Sequence, residues 1–150
     1  MNKYRKPKTN WTTDQWDDKK AICKAVEWSK TEGIGLIVVK PQDGIYPETF
    51  MYTFLPEMIA ANKPVEIVLT KNRQWIFGWK NEQTDMDGLV GLSAQNKVRL
   101  TGSDEEVDLF DCHVKADTIL FGYLTPDGWE EVKRFPLAGF CENYLAQFVK

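Results

Sequence analysis

Apolar residues at helical spacing mark the first part of the chain. Over residues 11–33, "WTTDQWDDKKAICKAVEWSKTEG", they fall within about a third of the circumference of a helix. Thr12 or Thr13 can cap the start of such a helix, and Gly33 follows its last turn. The pattern predicts an N-terminal helix, with Trp28 outside its apolar stripe. The stripe consists of Trp16, Ile22, Cys23 and Val26.

The next segments predict two strands with a short helix between them. The run "GIGLIVVK" at 33–40 is typical of a buried strand, and the turn sequence "PQDG" ends it. Residues 47–55 fit a helix and a strand equally, and the choice stays open. Pro56 inside a helix would cost about 3 kcal/mol, so we expect a helix only over residues 55–62. With the strand "VEIVLT" at 65–70, this order is compatible with one right-handed crossover between parallel strands.

Short apolar segments separated by turn sequences follow, as in an antiparallel meander. They are "QWIFGWK", "LVGLS", "KVRLT", an acid-rich segment at 107–114, "TILFGYL" and "WEEVKRF". In the first of them, a period of two places Trp75, Phe77 and Trp79 on one face. The sequence "TPDG" between the last two predicts a hairpin turn.

A short C-terminal helix is expected after Pro136, because aromatic residues recur there every four positions. We therefore predict an α+β fold: a curved, mostly antiparallel sheet of about five or six strands, with N-terminal, internal and C-terminal helices. Residues 1–10 are interpreted as a flexible basic arm, and residues 11–150 as a single α+β domain. The aromatic residues of the C-terminal helix are Phe140, Tyr144 and Phe148.

Composition places the chain among globular proteins. It has 150 residues, of which 43% are hydrophobic and 27% are charged. The longest apolar run, "IGLIVV", is strand-sized, and no apolar segment follows the basic N-terminus. We therefore expect a cytoplasmic protein without a membrane partner. Three widely spaced cysteines indicate reduced thiols rather than a disulfide framework.

The segment "DLFDCHVKAD" holds the only histidine, His113, directly after Cys112. On a strand, Cys112 would face the apolar side and His113 the polar side, so the histidine could not serve the thiol as a base. Asp111 would share the polar face and could orient the imidazole, although a solvated strand face with a weak charge pair is favoured. Spacing typical of a zinc site is missing. We predict no catalytic residue, metal ligand or cofactor, and we lean against an enzyme.

Aromatic residues make up 13% of the chain, and six of them are tryptophans. Trp11, Trp28 and Trp129 lie beside polar or turn residues, where an exposed tryptophan would anchor a protein partner. Other aromatics could line a pocket on the curved sheet, although a place in the core is favoured for them. These pocket candidates are Trp75, Phe77, Trp79, Phe121 and Tyr123, and Asp111 and His113 are the polar-face candidates.

The uneven distribution of charge along the chain indicates nucleic acid as a second class of partner. The net charge is −3, and removing the four positive charges of residues 1–10 would make it −7. We expect a small, soluble, non-enzymatic accessory protein that acts by protein–protein contact, as an inhibitor or adaptor. Alternatives are a nucleic-acid-binding accessory protein, and a small-ligand-binding or hydrolytic domain with a pocket on the sheet. The nucleic-acid alternative uses Lys3, Tyr4, Arg5, Lys6 and Lys8.

Overall fold

The computed structural model describes residues 11–16, 18–99 and 105–148. Within these ranges the chain forms twelve strands, two α-helices and a 3₁₀ turn, so sheet predominates. The strands are β1 (Thr12–Trp16), β2 (Lys19–Ser29), β3 (Glu32–Lys40), β4 (Thr49–Phe54), β5 (Val65–Lys71), β6 (Gln74–Asn81), β7 (Thr84–Met86), β8 (Leu89–Gln95), β9 (Lys97–Arg99), β10 (Glu106–Asp108), β11 (Thr118–Leu124) and β12 (Glu130–Pro136). The helices are α1 (Leu109–Lys115) and α2 (Phe140–Phe148), and the 3₁₀ turn is Pro56–Met58.

The strands form two main sheets rather than the single meander that the sequence predicts. One has six strands in the order β1-β2-β3-β4-β8-β7, and the other has four in the order β12-β11-β5-β6. A small third pair joins β9 and β10. In the described ranges all strand pairings are antiparallel. The parallel crossover is therefore wrong, because β3 and β5 belong to different sheets.

The inner faces of the two sheets share one apolar core. Tyr52 and Phe54 of β4 extend from the six-stranded sheet, while Phe121 and Tyr123 of β11 meet them from the other. Ring centroids lie 5.5 Å apart for Tyr52 and Phe121, and 5.2 Å apart for Phe54 and Phe121. Their edge-to-face geometry adds to the hydrophobic stabilisation that joins the sheets.

The two helices pack together against this core. Phe110 of α1 lies 4.7 Å from Tyr144 of α2 between ring centroids, and His113 of α1 stacks on Phe50 at 4.2 Å. The predicted C-terminal helix is confirmed. Its stripe docks as expected, since Phe140 and Tyr144 are buried.

The predicted N-terminal helix is wrong, because this segment forms the antiparallel hairpin β1–β2. Ile22 and Val26 are four positions apart, a spacing that fits one face of a strand as well as one face of a helix. Between them, Lys24 also points inward and is buried, which hides the strand alternation in the sequence. Both β-branched residues favour the strand, and pairing with β3 satisfies its backbone.

The internal helix is wrong as well, and the open choice for residues 47–55 is decided in favour of a strand, β4. After Pro56–Met58 the chain becomes extended, and Asn62 adopts a left-handed conformation with φ 60°. Ala60 donates its backbone N–H to the carbonyl of Leu124, so the segment is bonded to β11 instead of to itself.

The segment predicted as a strand at 107–114 is mostly helix α1. Asp108 caps the helix by accepting a hydrogen bond from the backbone N–H of Asp111. Asn96 satisfies two more backbone groups at this end: its carbonyl accepts from Leu109 N–H and its side chain from Phe110 N–H. These contacts are not visible from the local pattern, because Asn96 is distant in sequence.

The "TPDG" hairpin is confirmed as the turn between β11 and β12. Gly128 N–H donates to the Thr125 carbonyl at 2.8 Å. Gly128 has φ 87°, a left-handed conformation that glycine adopts without strain. The "PQDG" turn also forms between β3 and β4.

Candidate functional site

His113 is a buried core residue and not a surface histidine. Its Nδ1 lies 2.6 Å from the Leu109 carbonyl oxygen, and its Nε2 lies 3.1 Å from the Tyr52 hydroxyl. A carbonyl can only accept, so Nδ1 carries the proton and Nε2 accepts from Tyr52. Burial lowers the pKa of His113 to about 4, partly opposed by the bond to Leu109. The imidazole is thus neutral, and both nitrogens are already used in structural bonds.

The neighbouring groups do not turn His113 into a catalytic base. Burial, and next the Asp111 carboxylate, raise the pKa of the Cys112 thiol, which keeps it protonated and weakly nucleophilic. Asp111 is exposed and pairs with Lys115 at 2.8 Å, one helical turn away. The predicted polar face of Asp111 and His113 is wrong, because a helix places His113 inward. Val114, which strand alternation would place on the same side as Cys112, is exposed.

The other cysteines offer no better chemistry. Cys141 of α2 and His113 line the same small cavity of about 190 Å³, but His113 is 1% exposed and has no free nitrogen there. Burial raises the pKa of Cys23 to about 11, and Asp14 contributes to the rise. All three cysteines have free thiols. Across the described ranges no three or more His, Cys, Asp or Glu side chains come together as metal ligands.

Trp11 is part of the core and cannot act as an exposed anchor. Its ring is 5.5 Å from that of Phe140, and its Nε1–H donates to the Ala138 carbonyl at 2.9 Å. The ammonium of Lys24 lies 5.4 Å from the ring centroid. Only 8% of Trp11 is exposed, so the accessible indole on which its predicted contact role depends is not found in the structure.

Trp28 and Trp129 remain accessible, 37% and 75% exposed respectively. Lys133 lies beside Trp28, with its ammonium 5.7 Å from the Trp28 ring and 3.2 Å from the Glu32 carboxylate. Trp129 directly precedes β12 and lies four residues before Lys133, about 13 Å along an extended chain. We call this group the tryptophan edge: Trp28, Glu32, Trp129, Glu131 and Lys133.

The backbone of Trp129 is fixed although its side chain is exposed. Its N–H donates to the Thr125 hydroxyl at 3.1 Å, and its carbonyl accepts from Thr125 N–H at 2.8 Å. Pro126 and Gly128 shape the tight turn between these two residues. The indole is therefore presented from a rigid hairpin, which reduces the conformational entropy lost on binding.

The aromatic pocket on the sheet is not formed by the residues predicted for it. Phe77, Phe121 and Tyr123 are buried in the core, and Trp79 packs against Phe77 with 5.5 Å between ring centroids. Trp75 lies on the opposite face. A register shift between β5 and β6 inserts one extra residue after Trp75, which reverses the face predicted by simple alternation.

Trp75 belongs to a second accessible surface, the outer face of the four-stranded sheet. The register brings five side chains and two glycines together on this face. Trp75 is 65% exposed and Val132 is 62% exposed, so the face is open to solvent in the described part of the chain. The outer face consists of Val68, Trp75, Gly78, Leu120, Gly122, Val132 and Arg134, with Glu66, Lys80 and Glu130 at its rim.

Sequence reasoning missed most of this outer face. The available signal was Gly122, a glycine inside the apolar strand segment "TILFGYL", which indicates a bulge or a close approach of another backbone. The basic residues proposed for nucleic acid, residues 3–8, and the whole of the predicted flexible arm, residues 1–10, lie outside the described residues.

No known protein family, curated protein or solved structure matches this chain. In the described ranges no helix is long and apolar enough to cross a membrane.

Proposed function

We propose that this protein is a non-enzymatic accessory protein that binds another protein through the tryptophan edge. The observation that carries the proposal is Trp129, a large aromatic side chain 75% exposed on a hydrogen-bonded hairpin turn. Tryptophan is enriched among residues that dominate binding energies at protein interfaces. A rigid, exposed indole is a suitable anchor for a pocket in a partner.

The surroundings of Trp129 define the chemistry of the partner surface. Asp127 lies two positions before it in sequence and is exposed. Glu131 is half-buried and lies 3.8 Å from the Lys133 ammonium, while Glu32 also pairs with that ammonium. The matching surface is an apolar pocket bordered by basic groups, since such groups would complement the carboxylates and steer association.

The Cys112 and His113 geometry favours binding over catalysis. Both imidazole nitrogens hold the fold together, and the adjacent thiol is kept protonated. Cys112 and His113 therefore have a structural role in the core, whereas Trp28 and Trp129 are exposed and contribute little to it. Binding is therefore the function that the accessible residues support best.

Capture from a lysate of the source cell tests the proposal with two matched tryptophan variants. Trp129→Ser removes the proposed anchor, and Trp75→Ser removes a tryptophan of similar exposure, 65% against 75%, from the other surface. We expect wild type and Trp75→Ser to retain the same stoichiometric protein. Trp129→Ser should bind it at least about 30-fold more weakly, the loss of a hot-spot residue worth about 2 kcal/mol.

Two outcomes contradict the proposal. One is that wild type retains no stoichiometric protein. The other is that the retained protein binds Trp129→Ser with unchanged affinity in a titration of the purified components. Thermal melting of both variants checks that each is folded, so that lost binding reports on the surface and not on stability.

A further inference from the structure

Gly122 lies on the outer face of the four-stranded sheet, and nothing in the described part of the chain requires a glycine at this position. A Cβ at this position would meet only the Glu66 Cβ, at an ordinary contact distance of 3.7 Å, and its φ is not positive. The strand is in continuous register here, so no bulge needs the glycine. Glycine inside a strand destabilises it by about 0.5–1 kcal/mol relative to alanine.

Gly78 on the same face provides the contrast. A Cβ there would lie 3.1 Å from Trp75 Nε1 and 3.2 Å from the Ile67 carbonyl oxygen, so the chain itself occupies the space. Gly122, by comparison, is part of the lining of an open groove of about 380 Å³, together with Glu66, Lys80 and Val132. A glycine of this kind indicates that something outside the described chain approaches the backbone closely.

The charges of the outer face indicate what approaches. Glu66 and Glu130 carry two negative charges, and Lys80 and Arg134 carry two positive charges, so the four sum to zero. A polyanion such as nucleic acid gains no net attraction from such a face. A surface that carries the same mixture of apolar and oppositely charged groups can pair with this face. The most direct example is the same face of a second copy.

We propose that the outer face of the four-stranded sheet binds the same face of a second copy in an isologous dimer. A two-fold axis along the strands, between β5 and β11, sets each β11 residue against the β5 residue at the same height in the second copy. The register then places Leu120 against Val68 of the second copy.

The same axis accounts for the remaining members of the face. Arg134 is level with Gly78, over which the Trp75 indole lies, so its guanidinium stacks on the indole of the second copy. The space above Gly122 receives the Glu66 side chain of the second copy, and Lys80 of that copy lies against Val132, two residues from Glu130. The two copies thus fit in shape, and Lys80 of each copy lies near a carboxylate of the other.

The size of the face limits the strength of the dimer. Four strands spaced about 4.8 Å apart and seven residues of about 3.4 Å each give roughly 450 Å² in projection per copy. A stable interface buries about 800 Å² of accessible surface per partner. The dimer is therefore weak and concentration-dependent.

Sedimentation equilibrium over protein concentrations from about 1 µM to about 1 mM tests the dimer. We expect the average mass of wild type to rise from the monomer value of 17.3 kDa toward twice that value. Leu120→Lys introduces a charge at the centre of the face and should remain monomeric, with association weakened at least 10-fold. Trp129→Ser lies on the tryptophan edge and should dimerise like wild type, which separates this interface from the proposed partner site.

The Gly122→Ala variant tests the interface with a substitution that should not impair folding. Because its Cβ has room, this variant should melt at the same temperature as wild type or higher, yet dimerise several-fold more weakly. The proposal is overturned if wild type stays monomeric throughout the range. It is also overturned if Leu120→Lys and Gly122→Ala are folded and dimerise unchanged, or if Trp129→Ser alone abolishes dimerisation.

Discussion

The buried imidazole of His113 links helix α1 to strand β4. It bonds to the Tyr52 hydroxyl and stacks on Phe50, both in β4, and it bonds to Leu109 in its own helix. Each polar atom of the ring has a partner, so the burial of a polar group is offset. Protonation would destroy this arrangement, since a charged imidazole donates from both nitrogens and cannot accept from Tyr52.

This arrangement predicts a loss of stability in mild acid. The pKa of His113 is about 4 in the folded protein against a usual value of 6.5, so between these values the unfolded state binds a proton that the native state does not. The contribution of the neutral imidazole to the free energy of unfolding is fully present above pH 6.5 and declines as the pH falls toward 4. The decline should amount to about 3 kcal/mol, which urea unfolding at pH 7.5 and pH 4 measures.

His113→Phe provides the control for the acid effect. Phenylalanine keeps the stacking but leaves the Tyr52 hydroxyl unpaired, so the variant is less stable at all pH values. The difference in pH dependence between wild type and this variant isolates the imidazole from the carboxylates that titrate in the same range. An imidazole ¹⁵N titration of the single histidine with a midpoint near 6.5 would contradict the prediction.

At the scale of elements, hydrogen bonds at the start of α1 stabilise a helix in the segment for which the sequence predicts a strand. Asp108 accepts from Asp111 N–H at 3.1 Å and from the Lys97 ammonium at 3.1 Å. Burial opposes the charged form of Asp108, but these bonds outweigh it and hold its pKa below the usual value. The carboxylate therefore stabilises the helix start only while it is ionised.

Two aspartates of this helix make a matched pair of substitutions. Asp108→Ala removes the cap and should lower the free energy of unfolding by about 1 kcal/mol. Asp111→Ala removes only an exposed pair with Lys115 and keeps the backbone N–H that the cap uses, so its effect should stay below about 0.5 kcal/mol. Urea unfolding at pH 7 distinguishes them, and equal losses would show that the cap does not contribute.

At the scale of the whole molecule, two surfaces lie on different sides of β12. Glu131 and Lys133 face the six-stranded sheet at the tryptophan edge, while Val132 and Arg134 point to the outer face. The alternation of a single strand thus separates the surface proposed for a partner from the surface proposed for a second copy. Substitutions at one should leave the other intact.

The nucleic-acid alternative makes its own prediction for the whole chain. If the four basic residues of the first ten neutralise four phosphates of duplex DNA, the slope of log affinity against log salt is about −3.6. Binding should then weaken about 150-fold between 50 and 200 mM salt and disappear when residues 1–10 are deleted. A labelled oligonucleotide in a fluorescence anisotropy titration measures this, and binding that is absent at low salt excludes the alternative.

Sequence alone determined the features that depend on neighbouring residues. The "TPDG" turn, the strands on either side of it and the helix after Pro136 were predicted, because turn chemistry and a four-residue aromatic repeat act locally. The exposure of Trp129 also has a local origin, since it follows a tight turn. These features required no knowledge of distant contacts.

Only the tertiary structure decided the features for which local patterns are ambiguous. The spacing of Ile22 and Val26 fits a helix and a strand, and pairing with β3 selects the strand. Asn96 and Tyr52, both remote in sequence, turn "DLFDCHVKAD" into a helix with an inward histidine. A one-residue bulge moves Trp75 to the outer face. In each case a long-range hydrogen bond or strand pairing outweighs a small local preference, because an unpaired buried backbone group costs more than the propensity gains.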